Sequence, residues 1–438
     1  MILNGGMPAI SSLAGPGNAG KSEIAFYICA TILGRYKNSH WHYYDTECST
    51  TYGRIERLLA RYPEFDDIDI SEPNKRFIMV KSDQVMGDVW FDKIQKFLLG
   101  RIKDKKKHQV AMPFKTPSGG PLMGYQPLAL LVDSLTEFKV SAVQTKLVDK
   151  NNVGDSGQNM VFMLDGKAKT IFMSQLPNIA ARSGTQWLLV AHIGMKHELD
   201  PYAPKAPTLT HARAGRKAKG VPEKFSLING HLVEISNSVV LKNSSKDTSA
   251  KYPLTATDRE QDCKDLMAIN SISTRNKTGP SGVGYQFLTT QSGGVDAALS
   301  EFNYLREHNE NTAAWGMSGN VQNYHLDLLP EVTVSRTTVR KVIDENAKFR
   351  RALTLTTDLH QIISLWGGDQ TKFDHTLIVP LSQLHTDLKE MGYDWDDLLN
   401  TRPYWLPVDE EEGELPYISI YDLFRMRAKL YVPYWHDK

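Results

Sequence analysis

From the start of the chain to about residue 300, short apolar runs alternate with stretches of helical period, the pattern of a parallel α/β sheet. Residues 9–14 predict a first strand and residues 22–36 a first helix. Residues 41–45 predict a strand that ends in an acid, with a helix over 51–62 after it. Residues 77–80 and 85–103 repeat the strand–helix pair, Leu128–Asp133 is a fully apolar strand ending in acid, 167–182 is helical, and 187–192 is another buried strand. Residues 232–242, 266–273 and Gly284–Thr290 then predict strands toward the sheet edge. Beyond about residue 300 the period becomes helical and aromatics are frequent, with Leu381, Leu384, Leu388 and Met391 on one helix face. The expectation is an α/β core over 1–310 and a smaller, mainly helical domain over 311–438, with no internal repeat.

Two stretches break this rhythm. Residues 104–126, basic and then rich in Gly and Pro, read as an inserted loop. Residues 194–224 carry four prolines, several basic residues and no apolar period, and so long an irregular segment inside a compact domain points to function. Residues 205–224 hold six Lys or Arg against one Glu, 101–108 are basic and 409–414 are acidic; such runs are also the ordinary composition of solvated loops.

The chain of 438 residues, 41% hydrophobic and 23% charged, has the composition of a globular protein of two or three domains. Its net charge of +1 does not announce nucleic acid globally. No apolar run approaches membrane-spanning length and no secretory signal precedes the first strand, which predicts a soluble, cytoplasmic protein with no membrane partner. Cys29, Cys48 and Cys263 are scattered, against both a disulfide framework and a zinc site, and Cys29 reads as core.

Between the first strand and the first helix stands Gly15-Pro16-Gly17-Asn18-Ala19-Gly20-Lys21-Ser22, a complete G-x-x-x-x-G-K-S loop. Gly15, Gly17 and Gly20 let backbone N–H groups turn toward phosphate oxygens, Lys21 can reach the β and γ phosphates, and Ser22 offers a hydroxyl to Mg²⁺. The helix that follows adds the positive end of its dipole. A plain β–α turn would not need Lys and Ser in succession, so the loop predicts a nucleotide site. Asp133, at a strand end, can hold Mg²⁺; the alternative is an Asp that caps the next turn. Glu47 follows the strand after the first helix, where parallel strands converge on a ligand crevice. A carboxylate there can direct or deprotonate an attacking water, although spacing alone allows a solvated loop acid equally well. His192 ends a strand at the same edge; it either is satisfied locally or touches the γ-phosphate and reports it to the irregular segment that follows.

In order, these residues resemble the RecA-type recombinases, and among them the phage UvsX-like branch, across roughly residues 5–310. Asn4-Gly5-Gly6-Met7-Pro8 is similar to the family's Gly-Gly-x-Pro entry, Asp45-Thr46-Glu47 to its D-x-E segment and Val132-Asp133-Ser134 to its V-D-S motif. Ala191-His192-Ile193-Gly194-Met195-Lys196 resembles the N-Q-x-x-M-K segment, with His192 in the place of the sensing Gln, as in UvsX-like chains. Ser273-Thr274-Arg275-Asn276-Lys277 resembles the basic pair that reaches a neighbouring subunit's γ-phosphate, and Gly293-Gly294-Val295-Asp296 the Gly-Gly-Ile-Asp that closes the UvsX-like core.

The resemblance implies a RecA-like P-loop NTPase core and a DNA-dependent ATPase of homologous recombination or repair. Such a protein binds single-stranded DNA as an ATP-bridged filament and promotes pairing or strand exchange, with ATP and Mg²⁺ as cofactors. It implies Glu47 as catalytic base, His192 as sensor, Arg275 and Lys277 as fingers acting in trans, and Tyr52 as the aromatic stacked on adenine. It places a first DNA-binding loop at 150–165 and a second at 195–224, where Arg213, Arg216, Lys217 and Lys219 are available to phosphates. Three features depart from the pattern. The core strand begins almost at Met1, so the family's N-terminal docking segment is expected to be absent, supplied by another chain or trimmed from this form, and filament growth through the usual contact is in question. The 104–126 insertion and long second loop are unusual, and the basic pair is Arg-x-Lys rather than two lysines. The rival readings are a ring-forming replicative helicase of the same fold and a non-hydrolysing accessory DNA-binding protein. The sequence also admits a loader or single-strand-binding partner, and a duplex-binding basic face on a helix over 337–353 (Arg340, Lys341, Lys348, Arg350, Arg351).

Overall fold

The computed structural model of the chain describes residues 7–60, 76–81, 87–139, 157–195, 209–213, 215–244, 249–255, 264–308, 315–320, 322–366, 374–406, 415–433 and 435–436. In chain order the first half runs β1 (Ile10–Gly15), α1 (Lys21–Arg35), β2 (His40–Asp45), α2 (Tyr52–Leu59), β3 (Phe77–Lys81), α3 (Gly87–Lys103), β4 (Gln109–Lys115), β5 (Pro121–Tyr125), β6 (Leu128–Asp133), α4 (Gly157–Ser183) and β7 (Gln186–Met195). It continues with β8 (Arg216–Ala218), α5 (Lys224–Ile228), β9 (His231–Val240), β10 (Leu266–Asn276), β11 (Gly284–Thr290), β12 (Gly294–Val295) and α6 (Ala297–Glu307).

The central sheet has the order β12-β11-β10-β9-β1-β7-β6-β2-β3, with β8 added beside β7. The pairs from β9 to β3 are parallel, and β10, β11 and β12 join antiparallel. Alternation along the strands builds two cores, one on each face. Leu13, Trp41, Tyr43, Leu131, Leu188 and Val190 turn toward α1 and α2. Ala14, Tyr44, Leu130, Val132, Trp187 and Leu189 turn toward α3 and α4. Strand C-termini therefore collect at one edge, where β1 delivers the phosphate loop, β2 delivers Glu47, β6 delivers Asp133 and β7 delivers His192.

Residues 104–126 are not an irregular loop. After a 3-10 turn over Lys105–His108, β4 and β5 pair as an antiparallel hairpin. Arg101 anchors its base by donating to Ser183 O at 2.8 Å and Gln126 O at 2.6 Å. The 194–224 segment is likewise partly regular, since β8 pairs antiparallel with the end of β7.

The last part of the chain contains a three-stranded sheet, β13 (Met317–Asn320), β14 (Asn323–Leu326) and β15 (Leu329–Val334), as well as helices α7 (Val339–Glu345), α8 (Ala347–Trp366), α9 (Leu381–Glu390), α10 (Trp395–Leu399) and α11 (Ile420–Arg427). Leu381, Leu384 and Leu388 are buried as their spacing predicts, whereas Met391 is exposed. One buried cluster joins Leu266, Leu288 and Phe302 to Phe349, Leu353, Leu359 and Leu423. The far end of α1 meets the same region: Arg35 stacks over the Tyr404 ring at 4.6 Å and Tyr36 lies 6.2 Å from Trp405.

The helix expected over 337–353 is two helices broken at Asn346, whose side chain accepts from Phe349 N at 2.9 Å and so starts the second. Two of its cations are buried and committed to carbonyls: Arg340 donates to Tyr252 O at 3.3 Å and Arg351 to Ile418 O. They are structural, and the basic face proposed for duplex DNA does not exist as a surface of five cations. Among the described residues no helix is long and apolar enough to cross a membrane.

Candidate nucleotide site and the segment beside it

Gly20 turns the chain from loop into helix with a left-handed backbone, φ 85°, and no side chain caps the N-terminus of α1. The first amides of that helix are thus left for an outside acceptor. Space is as restrictive as conformation. A Cβ on Gly20 would collide with Ile269, and one on Gly15 would meet Ile235 Cβ and O at 3.0 Å. A cleft of about 570 Å³ opens here, lined by residues 17–23 together with Glu47, Arg54, Arg57, Asp133, His192, Ile269 and Thr290. That volume suits a drug-sized or nucleotide-sized ligand.

Lys21 is 5% exposed, and its Nζ donates to Pro16 O at 2.6 Å. Burial lowers its pKa, while Asp133 and Glu47 act in the opposite sense. Ser22 Oγ donates to Asp133 Oδ2 at 2.6 Å. Burial pushes Asp133 up to about 6, against the Ser22 hydrogen bond, with Glu47 adding to the rise and Lys21 opposing it. The hydroxyl and carboxylate form a pair of hard oxygen donors beside the phosphate loop, a set that fits Mg²⁺ rather than a softer metal.

Glu47 is held by a small network. Buried Asp45 accepts from Ser49 N at 3.3 Å and Thr50 N at 3.0 Å, closing the turn that presents Glu47. Thr46 Oγ1 donates to Ser134 O at 2.7 Å and accepts from Ser134 N at 2.8 Å, locking the ends of β2 and β6 together. Glu47 Oε1 accepts from Ser134 Oγ at 2.6 Å and lies 2.9 Å from His192 Nε2. Burial works to raise the Glu47 pKa, but the bonds to Ser134 and His192 and the charges of His192 and Lys21 carry it below the usual carboxylate value. Glu47 is therefore an ionised carboxylate at neutral pH.

His192 is tied by its backbone to the segment that follows it. Its N donates to Thr136 Oγ1 at 2.9 Å, Thr136 Oγ1 donates to Lys219 O at 3.1 Å, and Lys219 N donates to His192 O at 2.7 Å. Arg216, Lys217 and Lys219 are exposed on this returning limb. Arg213 is half-exposed but already engaged, 3.7 Å from buried Glu234 and hydrogen-bonded to Ser236. Residues 150–156, 196–208 and 214 lie outside the described residues, as do Asn4, Gly5, Gly6, Cys263 and the acidic run at 409–414; the rest of the first expected loop, 157–165, is not a loop but the first turns of α4.

Two sets of expected site residues are not at the cleft. Tyr52 does not line it; its ring is 45% exposed and meets Phe77 edge-on at 5.9 Å. The α2 residues that do line it are Arg54, ion-paired with Glu23, Arg57 and Leu58. Arg275 and Lys277 stand at the opposite edge of the sheet. Asn276 pairs with His231, and His231 with Ser11, four residues before Gly15. At about 3.3 Å per residue this separates the pair from its own phosphate loop by at least roughly 13 Å. Arg275 Nε there donates to Asn229 O at 2.9 Å and Lys277 N to Gly230 O at 2.8 Å. Sequence reasoning missed Thr136, the Ser134–Glu47 contact and the arginines of α2; none of them carries a local signal, because each acts through a residue distant in sequence.

No protein-family model matches the chain, and no curated protein matches it. Among solved structures it is similar to the crystal structure of the RadB recombinase, at 14% identity over 66% of this chain and 90% of that chain, with a TM-score of 0.34.

Proposed function

We propose that this chain is a DNA-dependent ATPase of the recombinase type, which hydrolyses ATP in the cleft beside the phosphate loop while the segment after His192 holds single-stranded DNA. The observation that carries the reading is the hydrogen-bonded path from the base candidate to the basic limb: Glu47 to His192, and His192 through Thr136 to Lys219.

The chemistry follows from the chain's own groups. The amides of residues 17–22 would surround the phosphates, and Lys21 would leave Pro16 O for the β and γ phosphate oxygens, adding positive charge where negative charge develops. Ser22 and Asp133 would hold Mg²⁺, which when bound neutralises phosphate charge. Glu47, ionised, would orient a water and take its proton as its oxygen bonds to the γ-phosphorus and the bond to the β–γ bridging oxygen breaks, that oxygen leaving with ADP; the hydrogen bonds to Ser134 and His192 fall on Oε1, which leaves Oε2 for the proton. His192 would exchange its bond to Glu47 for one to a γ-phosphate oxygen, moving its backbone and therefore Lys219. Arg216, Lys217 and Lys219 would meet the DNA backbone without reading bases, with Arg213 released from Glu234. Arg275 and Lys277, too far from their own loop, would complete the site of a second copy in a filament or ring.

The test is steady-state ATP hydrolysis with and without single-stranded DNA. DNA stimulates the wild-type protein, and Glu47→Gln lowers kcat by about 10²–10⁴-fold with KM nearly unchanged. Wild-type turnover in Glu47→Gln at saturating DNA would remove Glu47 from the role of base.

A further inference from the structure

Lys169 lies inside α4 and is 1% exposed. Its Nζ stands 3.0 Å from Asp165 Oδ2, one helical turn earlier, and donates to Gly220 O at 2.7 Å. A fully buried lysine is uncommon, and a pair of buried charges is often no more stabilising than apolar side chains of the same volume. Burial of the hydrophobic kind would have served α4 equally well, so the use of an ammonium at this position calls for a partner that an apolar group cannot hold. It has two, Asp165 within α4 and the carbonyl of Gly220, and only the second ties α4 to another segment.

Gly220 directly follows Lys219, the residue that closes the hydrogen-bonded ring with His192 and Thr136. Its backbone is left-handed, φ 63°, and a Cβ there would lie 2.7 Å from Thr136 O. The returning limb is thus pinned at two adjacent residues, by Thr136 from the exit of β6 and by Lys169 from α4. Helix α4 starts at Gly157, within the first expected DNA segment at 150–165, and the limb at 216–220 lies within the second at 195–224.

We propose that Lys169 is a positioning residue that locks α4 to the returning limb, so that both DNA-facing segments and His192 move as one body. The functional half of this inference rests on the ATPase reading above; the mechanical half, a locked joint, does not.

The experiment compares wild type with Lys169→Met by hydrogen exchange and by DNA-stimulated ATP hydrolysis with a poly-dT oligonucleotide. In Lys169→Met, which also takes the ammonium from Asp165 within α4, the amides of 216–219 exchange at least about tenfold faster while those of β1 and β6 are unchanged, because the opening is confined to α4 and the limb. Hydrolysis without DNA stays within about twofold, and the oligonucleotide concentration for half-maximal stimulation rises at least about tenfold. Wild-type exchange at 216–219 in the variant overturns the joint. Faster exchange with unchanged DNA response overturns the coupling alone. Absence of DNA stimulation in the wild type itself overturns the ATPase reading, and the exchange result still decides the joint. Should Lys169→Met fail to fold, Gly220→Ala perturbs the joint from the limb, where the new Cβ presses on Thr136 O and shifts the Gly220 carbonyl; faster exchange at 216–219 is expected there too, and wild-type exchange overturns the inference.

Discussion

Replacing Gly20 by alanine combines two penalties that the structure allows to be separated. The first is conformational. A side-chain-bearing residue held at φ 85° costs about 1–2 kcal/mol relative to glycine. The second is steric, since the new methyl would collide with Ile269 Cδ1 and stand 2.8 Å from its Cγ1. Forcing a methyl into a packed site costs typically about 1–3 kcal/mol. Gly20→Ala is therefore expected to lose roughly 2–5 kcal/mol of stability. Unfolding entropy near 2.1 cal/mol/K per residue over 438 residues makes that a fall of roughly 2–5 °C in Tm if the chain unfolds as one unit. Gly17→Ala is the matched control, because nothing lies within 4 Å of a Cβ there and its backbone is not left-handed; it should change stability by less than about 0.5 kcal/mol. The two terms are divided by Ile269→Val, which removes Cδ1 at a cost of about 0.5–1.5 kcal/mol by itself. In that background the Gly20→Ala penalty should shrink by about 1 kcal/mol, a coupling read from a double-mutant cycle in urea with the m-value constant. Stability of Gly20→Ala equal to that of Gly17→Ala would refute both terms, and zero coupling to Ile269 would refute the steric one.

His42 faces Phe97 from β2, and burial, with His40 and Arg101 nearby, lowers its pKa to about 4. The folded state thus binds this proton less readily than the unfolded chain, whose histidine titrates near 6.5. Stability is intact above pH 6.5 and is lost as pH falls toward 4, by about 3 kcal/mol in full. His42→Gln should flatten that part of the stability–pH curve measured by denaturant titration, and an unchanged slope would contradict the assignment. For the proposed trans fingers, mixing Arg275→Ala with Lys21→Ala protein should recover part of the activity that each lacks alone, because some interfaces then pair an intact loop with an intact Arg275. A mixture no more active than its components would rule out the trans arrangement.

The parts of this molecule legible from sequence are those whose signal is local. The phosphate loop carries its own glycines, Lys21 and Ser22, and the apolar runs around Leu131 and Leu189 have the length and composition of buried parallel strands. Their acids fall at one edge because parallel strands share a direction, so Asp133 and Glu47 could be brought to one place without knowing strand order. The hairpin at 109–125 was hidden because Pro113, Pro117, Gly119, Gly120 and Pro121 read as loop, and because its short strands carry apolar side chains such as Leu122 and Met123 that stay exposed, so no buried alternation marks them. Arg340 and Arg351 read as surface cations, since the carbonyls that bury them come from Tyr252 and Ile418, far away in the chain. The position of Tyr52 was not legible for a similar reason: α2 begins at that residue, and the turns that follow present Arg54, Arg57 and Leu58 to the cleft.

The buried cluster that unites Leu266, Leu288 and Phe302 with α8 and α11 bears on how the molecule can be divided. A chain ended after residue 310 would not be a smaller protein with its sheet intact. It would present one face of β10 and β11 to water as an adhesive surface, and would strip Tyr404 and Trp405 from the far end of α1. That helix, about 22 Å long at 1.5 Å per residue, begins at Lys21. The glycine-rich loop is thus one end of a rod whose other end is gripped by Tyr404 and Trp405, and severing them would be felt at that loop as slack.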